Sequence, residues 1–125
     1  MGVFHWDQGM ADNGRLPWFP FYVDRFMGSR KVQRMSAEQI GIYMLLLIEE
    51  WDSDAPLPTR GDDLVSICQG APVVEIRNVL RLCFEKRKSG WTNKALEDIR
   101  RAQAAKHKRR VEAGKKRWKN QAPQG

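Results

Sequence analysis

The clearest pattern along the chain is a stripe of apolar positions with helical period in its first half. Ser36-Ala37-Glu38-Gln39 is a capping box, in which the Ser36 hydroxyl accepts from the Gln39 N–H and the Gln39 side chain accepts from the Ser36 N–H. A helix is therefore predicted from Ser36 to about Trp51, and Gly41 is expected to let another segment approach it closely. The stripe consists of large side chains at helical spacing, widened by two leucines: Ile40, Tyr43, Met44, Leu47, Ile48 and Trp51, with Leu45 and Leu46.

Two shorter helices with a tight turn between them are predicted next. Thr59 marks a start because the acidic residues that follow it are favoured at the positive end of a helix dipole, and Gly70 marks the end. The third helix is predicted from about Pro72 to Phe84 or Glu85. Its inward face is apolar: Val73, Ile76, Val79, Leu80, Cys83 and Phe84. Its outward face holds the polar residues Arg77, Asn78 and Arg81, with Val74 beside them.

The pattern then changes to a hairpin and a last helix. Glu85–Lys88 and Trp91–Lys94 are predicted strands around a Ser89-Gly90 turn, since Trp and Thr favour strands. From Ala95 onward the composition is helical. This helix is predicted to be anchored by Leu96 and Ile99 and to be frayed or disordered beyond about Lys106, where apolar residues become rare.

Upstream of the capping box the chain has no helical period. Residues 1–16 are predicted to be a flexible lead-in. Pro17-Trp18-Phe19-Pro20-Phe21-Tyr22 is predicted to be an extended strap with its rings buried across the domain, because proline forbids a regular helix there. A platform that stacks on bases is the alternative. The domain organisation is thus a lead-in over residues 1–16, a domain over residues 17–101 and a basic helical or disordered tail over residues 102–125.

Composition and charge change this picture in one respect. With 125 residues, 42% hydrophobic and 30% charged, the chain is globular and large enough for one domain and a tail. Residues 1–85 contain eight Lys or Arg and twelve Asp or Glu, a net charge of −4, whereas residues 86–125 contain fourteen and three, a net charge of +11. A basic end of this kind indicates an anionic partner such as nucleic acid, or else a solvated tail.

The order of helix, helix pair and basic hairpin is that of a winged helix-turn-helix. The predicted fold class is therefore mainly α with a small β-hairpin: a winged helix-turn-helix-like domain that an aromatic extended strap precedes and a basic C-terminal helix follows. On this hypothesis Arg77, Asn78 and Arg81 read bases, since arginine pairs with guanine and asparagine with adenine. The remaining candidates are cations expected to contact DNA phosphates: Lys86, Arg87, Lys88, Lys94, Arg100, Arg101, Lys106, Lys108, Arg109, Arg110, Lys115, Lys116 and Arg117.

Other classes of function have less support. His5 and His107 are far apart, no metal-binding spacing or Gly-rich phosphate loop occurs, and no nucleophile elbow appears, so no enzyme, metal or cofactor is expected. No membrane span or signal peptide is found, which predicts a cytoplasmic protein with Cys68 and Cys83 as reduced thiols.

The alternative to DNA binding is an adapter that recruits or inhibits a replication protein. Val74 and Leu82, apolar on otherwise polar helix faces, fit that alternative. Self-association stays open, although no heptad seam supports it.

A known family shares several of these motifs. Pro17-Trp18-Phe19-Pro20-Phe21-Tyr22-Val23-Asp24 and Met35-Ser36-Ala37-Glu38-Gln39, with Leu57-Pro58 and a late Gly90-Trp91, resemble the YdaU-type phage and prophage domain of unknown function over about Pro17–Arg101. The resemblance implies a winged-helix-like domain of phage replication-region proteins in a bacterial host cytoplasm. For the adapter alternative, the expected partner is a replication protein such as the replicative helicase of the host.

Overall fold

Eight elements follow one another along residues 17–121, the part of the chain that the computed structural model describes. They are α1 (Val23–Met27), α2 (Arg30–Gln33), α3 (Ala37–Ser53), α4 (Gly61–Ile67), α5 (Val73–Cys83), β1 (Glu85–Arg87), β2 (Gly90–Thr92) and α6 (Lys94–Gln121). One compact unit spans Phe19–Glu97, and a second contains α6 from Asp98 onward with residues 17 and 18. The lead-in predicted for residues 1–16 lies outside the described residues.

Helix α3 begins where the capping box predicted. The Gln39 N–H donates to Ser36 Oγ over 3.1 Å, and the Ser36 N–H donates to Gln39 Oε1 over 3.0 Å. The helix ends at Ser53, two residues beyond the prediction, because Asp54 takes a left-handed conformation with φ of 52°. The expectation for Gly41 was wrong, since no other part of the described chain comes within 4 Å of a Cβ built there. The buried apolar residues of α3 are Ile42, Leu46, Leu47 and Trp51.

The helix pair α4 and α5 packs against α3 and completes the core. Helix α4 begins at Gly61 with Arg60 as its N-cap, not at Thr59, and makes no side-chain cap bond. After α4, Gly70 has φ of +88° and its N–H donates to the Val65 carbonyl over 2.9 Å, a closure that glycine permits without strain. The core's most completely buried apolar side chains come from all three helices and the loop before α4: Leu46, Leu57, Leu64, Ile76, Val79 and Leu80.

Strands β1 and β2 form the predicted antiparallel hairpin, with Arg87 opposite Gly90 at the turn. Leu57 adds a one-residue third strand to β2. Its N–H donates to the Trp91 carbonyl over 2.8 Å, and the Trp91 N–H donates back to the Leu57 carbonyl over 3.0 Å. Gly90 has φ of +138°, and a Cβ there would overlap the Leu57 carbonyl, so the approach requires glycine. Helix, bridging strand, helix pair and hairpin together confirm the winged helix-turn-helix fold.

The segment before α3 differs most from the prediction. Trp18, Phe21 and Tyr22 are 57%, 42% and 45% exposed, which contradicts their expected burial. Phe19 packs on the core, with its ring centroid 5.5 Å from that of Trp51, whereas Phe21 packs on Phe26 with the centroids 4.9 Å apart. The helices α1 and α2 were missed because five and four residues are too few to show a helical period.

Helix α6 is longer than the sequence predicted. Instead of fraying beyond Lys106, it continues to Gln121, although every described side chain from Lys108 to Trp118 is exposed. Its start is well defined, because Asn93 Oδ1 accepts from the Leu96 N–H over 3.0 Å and so caps the helix. Within residues 17–121, no helix is both long enough and apolar enough to span a membrane.

Candidate nucleic-acid interface

The outward face of α5 carries the three residues predicted to read bases, and the structure separates them into a pair and a single residue. Arg81 is exposed, and its Nη1 donates to Asn78 Oδ1 over 3.4 Å. Arg77 is half-buried, and its Nη2 would lie 3.3 Å from a Cβ built on Gly61. Asn78 is half-buried like Arg77, but it is bonded to the exposed Arg81 on the outward face, whereas the Arg77 guanidinium lies across the start of α4.

Apolar side chains share this face with the polar pair. Val74 lies seven residues before Arg81 and thus on the same side of the helix, and it is 64% exposed. Leu82 is 46% exposed. An exposed aliphatic group beside arginine and asparagine can contact the methyl group of thymine, and it can equally contact another protein. The face is therefore chemically mixed rather than purely cationic.

The acidic residue of α5 is held away from this face. Glu75 accepts a hydrogen bond at Oε2 from Gln39 Nε2 over 2.9 Å. Because Gln39 also forms the capping box of α3, this bond fixes the edge of α5 that carries Glu75 beside the start of α3. The carboxylate at this position is thus bound within the protein, and it does not stand in the middle of the exposed surface.

The hairpin presents the three predicted cations, all of them exposed. Arg87 has partners within the hairpin. Its Nη2 lies 3.0 Å from Glu85 Oε2 and its Nε donates to Thr92 Oγ1 over 3.4 Å. Lys86 lies opposite Trp91 on the other face of the two strands, and Lys88 lies in the turn. Lys86 and Lys88 therefore extend into solvent with fewer constraints than Arg87.

The remaining predicted cations lie on α6. Lys94, its first residue, is exposed, whereas Arg100 is half-buried and Arg101 pairs with Asp98 at 3.8 Å. Beyond them the side chains are exposed: Lys106, Lys108, Arg109, Arg110, Lys115, Lys116 and Arg117. Successive residues point about 100° apart on a helix, so these cations surround α6 instead of forming a single stripe.

A set of cations on and next to α1 and α2 was not predicted from the sequence. Residues 22–35 contain four Lys or Arg and one acid, Asp24, a local excess concealed by the net negative charge of the first 85 residues. Arg25 stacks over the Tyr22 ring, with its guanidinium carbon 4.4 Å from the centroid. Arg30, Lys31 and Arg34 are exposed. A local count of charge over short windows is the signal that could have found them.

A buried polar cluster around Asn93 was also missed. Asn93 is 4% exposed; its Nδ2 donates to the Cys83 carbonyl over 2.9 Å and to Tyr43 Oη over 3.4 Å. Its N–H donates to Oε1 of the buried Glu50 over 2.9 Å. Asn93 thereby joins α3, the end of α5 and the start of α6, and it determines where the hairpin returns to the core.

The two thiols among the described residues are both shielded from solvent. Burial raises the pKa of Cys68 to about 11 and raises the pKa of Cys83, an effect that nearby Lys31 partly offsets. Both side chains are thus protonated thiols at neutral pH. In the described part of the chain, no group of three or more His, Cys, Asp or Glu is placed to hold a metal ion.

Three packed helices, a cationic hairpin bonded to Leu57 and a long basic helix define a winged helix-turn-helix protein. The family model described as "Protein of unknown function (DUF1376)" matches residues 17–100, and the chain belongs to that family. No curated protein and no solved structure matches the chain.

Proposed function

We propose that this protein binds duplex DNA through α5 and the hairpin and is not an enzyme. The observation that supports this most directly is the Arg81–Asn78 pair on the exposed face of α5, the second helix of the helix-turn-helix. In this fold the second helix enters the major groove, where arginine and asparagine each make two hydrogen bonds to a purine. Arg77, at the edge beside α4, supplies a further contact.

Phosphate contacts fall to the hairpin and α6 in this proposal. Lys86 and Lys88 extend from the hairpin, and α6 adds cations on all sides, an arrangement suited to binding that is independent of sequence. No cofactor is required. The resemblance to YdaU-type domains adds the proposed setting, a phage replication-region protein in a bacterial cytoplasm that acts in DNA replication or its control.

Fluorescence anisotropy on labelled duplexes tests the proposal. The chain should bind a mixed duplex pool with a log affinity that falls linearly with log salt concentration, by about 0.9 per phosphate neutralised. Asn78→Ala with Arg81→Ala should reduce discrimination among duplexes enriched from that pool, by about 1–3 kcal/mol for each base that is no longer read. Truncation of residues 106–125 should flatten the salt slope while preserving discrimination. Lack of duplex binding at low salt would refute the proposal.

An adapter function is the second candidate, and exposed apolar side chains favour it. Val74 and Leu82 lie on α5, and Tyr22, Val23 and Met27 are 45%, 63% and 63% exposed at α1. Isolated exposed apolar residues are ordinary, but several on one short segment are typical of a protein contact. Affinity capture from bacterial lysate distinguishes the two functions. A replication protein that is retained after nuclease treatment, and that Val74→Asp no longer captures, supports the adapter.

A further inference from the structure

The two edges of the exposed face of α5 differ in the charge that borders them. One edge carries Arg77, which lies over Gly61 at the start of α4. The first turn of α4 contains Asp62 and Asp63, both exposed, and Arg60 is paired with Asp62 at 3.5 Å. A DNA backbone on this side would meet two carboxylates and one arginine that already has a partner.

The other edge carries Glu75 and, seven residues on, Leu82. The bond from Gln39 to Glu75 joins this edge to the start of α3, and α2 ends three residues before the capping residue Ser36. Phe26 of α1 stacks on Tyr43 with the ring centroids 5.8 Å apart, and Tyr43 meets the Phe84 ring edge-on at 5.9 Å, directly after α5. Because α1 packs on α2, these two short helices lie on the side of the core where α5 ends. The exposed cations of the segment on this side are those of α2 and its C-cap, Arg30, Lys31 and Arg34.

The backbone of α2 is anchored while its cations are free to extend. Val32 and Met35 are buried at 5% and 9% exposure, and Gln33 Nε2 donates to the Met27 carbonyl over 3.1 Å. Charged ends of arginine and lysine can therefore reach a phosphate from a fixed base, which reduces the entropic cost of binding.

We propose that Arg30, Lys31 and Arg34, at α2 and its C-cap, form a phosphate-binding surface that places the DNA backbone on the α2 side of α5. This surface replaces the backbone contact that the first helix of the pair makes in an ordinary helix-turn-helix. In that ordinary arrangement the first helix of the pair crosses the backbone. Here the acidic first turn of α4 disfavours this contact, and α2 supplies the cations instead. This inference rests on the proposed DNA binding and specifies its orientation.

The test compares neutral variants on the two edges in the full chain. Arg30→Gln, Lys31→Gln and Arg34→Gln, combined, should flatten the salt slope by about 0.9 for each phosphate that is no longer neutralised, and should weaken duplex binding at about 0.1 M salt by roughly tenfold or more. Arg60→Gln is the matched control, because it removes one exposed cation at the α4 edge. This control variant should keep both the salt slope and the affinity for duplex DNA within about twofold of the wild-type values.

A second pair of variants tests the α4 edge directly. Asp62→Asn with Asp63→Asn should change affinity by less than about threefold if the backbone lies on the α2 side, since exposed charges farther than about a Debye length are screened. A large gain with a steeper slope would overturn the inference. So would an unchanged slope in the triple α2 variant when the wild type binds duplex DNA. If the wild type does not bind, the proposed function fails as well, so the two failures are distinguishable.

Discussion

Asn93 offers the sharpest test of what holds the hairpin and the first turn of α6 to the core. Replacement by alanine removes the cap of α6 and leaves the Cys83 carbonyl without its 2.9 Å donor, while the backbone N–H of residue 93 can still donate to Glu50. Loss of a cap costs about 1 kcal/mol. A buried carbonyl left without a donor costs about 1–3 kcal/mol. We therefore expect Asn93→Ala to lower the free energy of unfolding by about 2–4 kcal/mol.

Matched variants separate the two contributions. Asn93→Ser keeps an oxygen that can cap α6 but removes the amide donor, so it should show only the second contribution. Ser36→Ala removes a cap at an exposed position, where Ser36 Oγ accepts from the Gln39 N–H, and should cost about 1 kcal/mol. Urea unfolding followed by far-UV circular dichroism measures each value. If Asn93→Ala costs no more than Ser36→Ala, Asn93 is only a helix cap and the buried cluster adds no stability.

Three further outcomes are expected. Gly90→Ala should lower the urea midpoint and disrupt the Leu57–Trp91 pairing, because its Cβ would overlap the Leu57 carbonyl, and a midpoint equal to that of the wild type would contradict this. Gly114→Ala, at an open site in α6, should instead raise helical ellipticity, because alanine favours a helix over glycine by about 1 kcal/mol, and unchanged ellipticity would count against it. Burial raises the pKa of Cys68 to about 11, so above the ordinary thiol pKa the folded chain retains a proton that the unfolded chain releases. The free energy of unfolding should therefore fall as the pH rises from the ordinary thiol pKa towards 11. The urea midpoint should fall less steeply from about pH 9 upward in Cys68→Ala, and parallel pH curves would exclude this effect.

Features with local causes were predictable. The capping box fixes the start of α3, the apolar period identifies α5, and the Ser89-Gly90 turn identifies the hairpin. Each depends on residues a few positions apart, whose interactions follow from helix or strand geometry alone. The same locality explains the errors. Thr59 looked like a cap, but α4 begins at Gly61 with Arg60 as its N-cap.

Interactions between distant positions could not be predicted in this way. Asn93 and Glu50 are 43 residues apart, and Gln39 and Glu75 are 36 apart, so neither pair leaves a pattern in the sequence. The same applies to the exposed rings. Proline-bracketed aromatics indicated burial, but Phe19 is the ring that packs on the core at Trp51, and Phe21 packs on Phe26 at the surface.

The amino-acid sequence by itself determined the order of the elements, the polar face of α5 and the basic composition of the last third of the chain, because periodicity, capping and charge are properties of the residues themselves. Only the tertiary structure decided which polar groups are bound internally and which face solvent. It held Glu75 at the α3 edge and placed the Arg77 guanidinium across the start of α4. These outcomes depend on distances between elements, which no local pattern encodes.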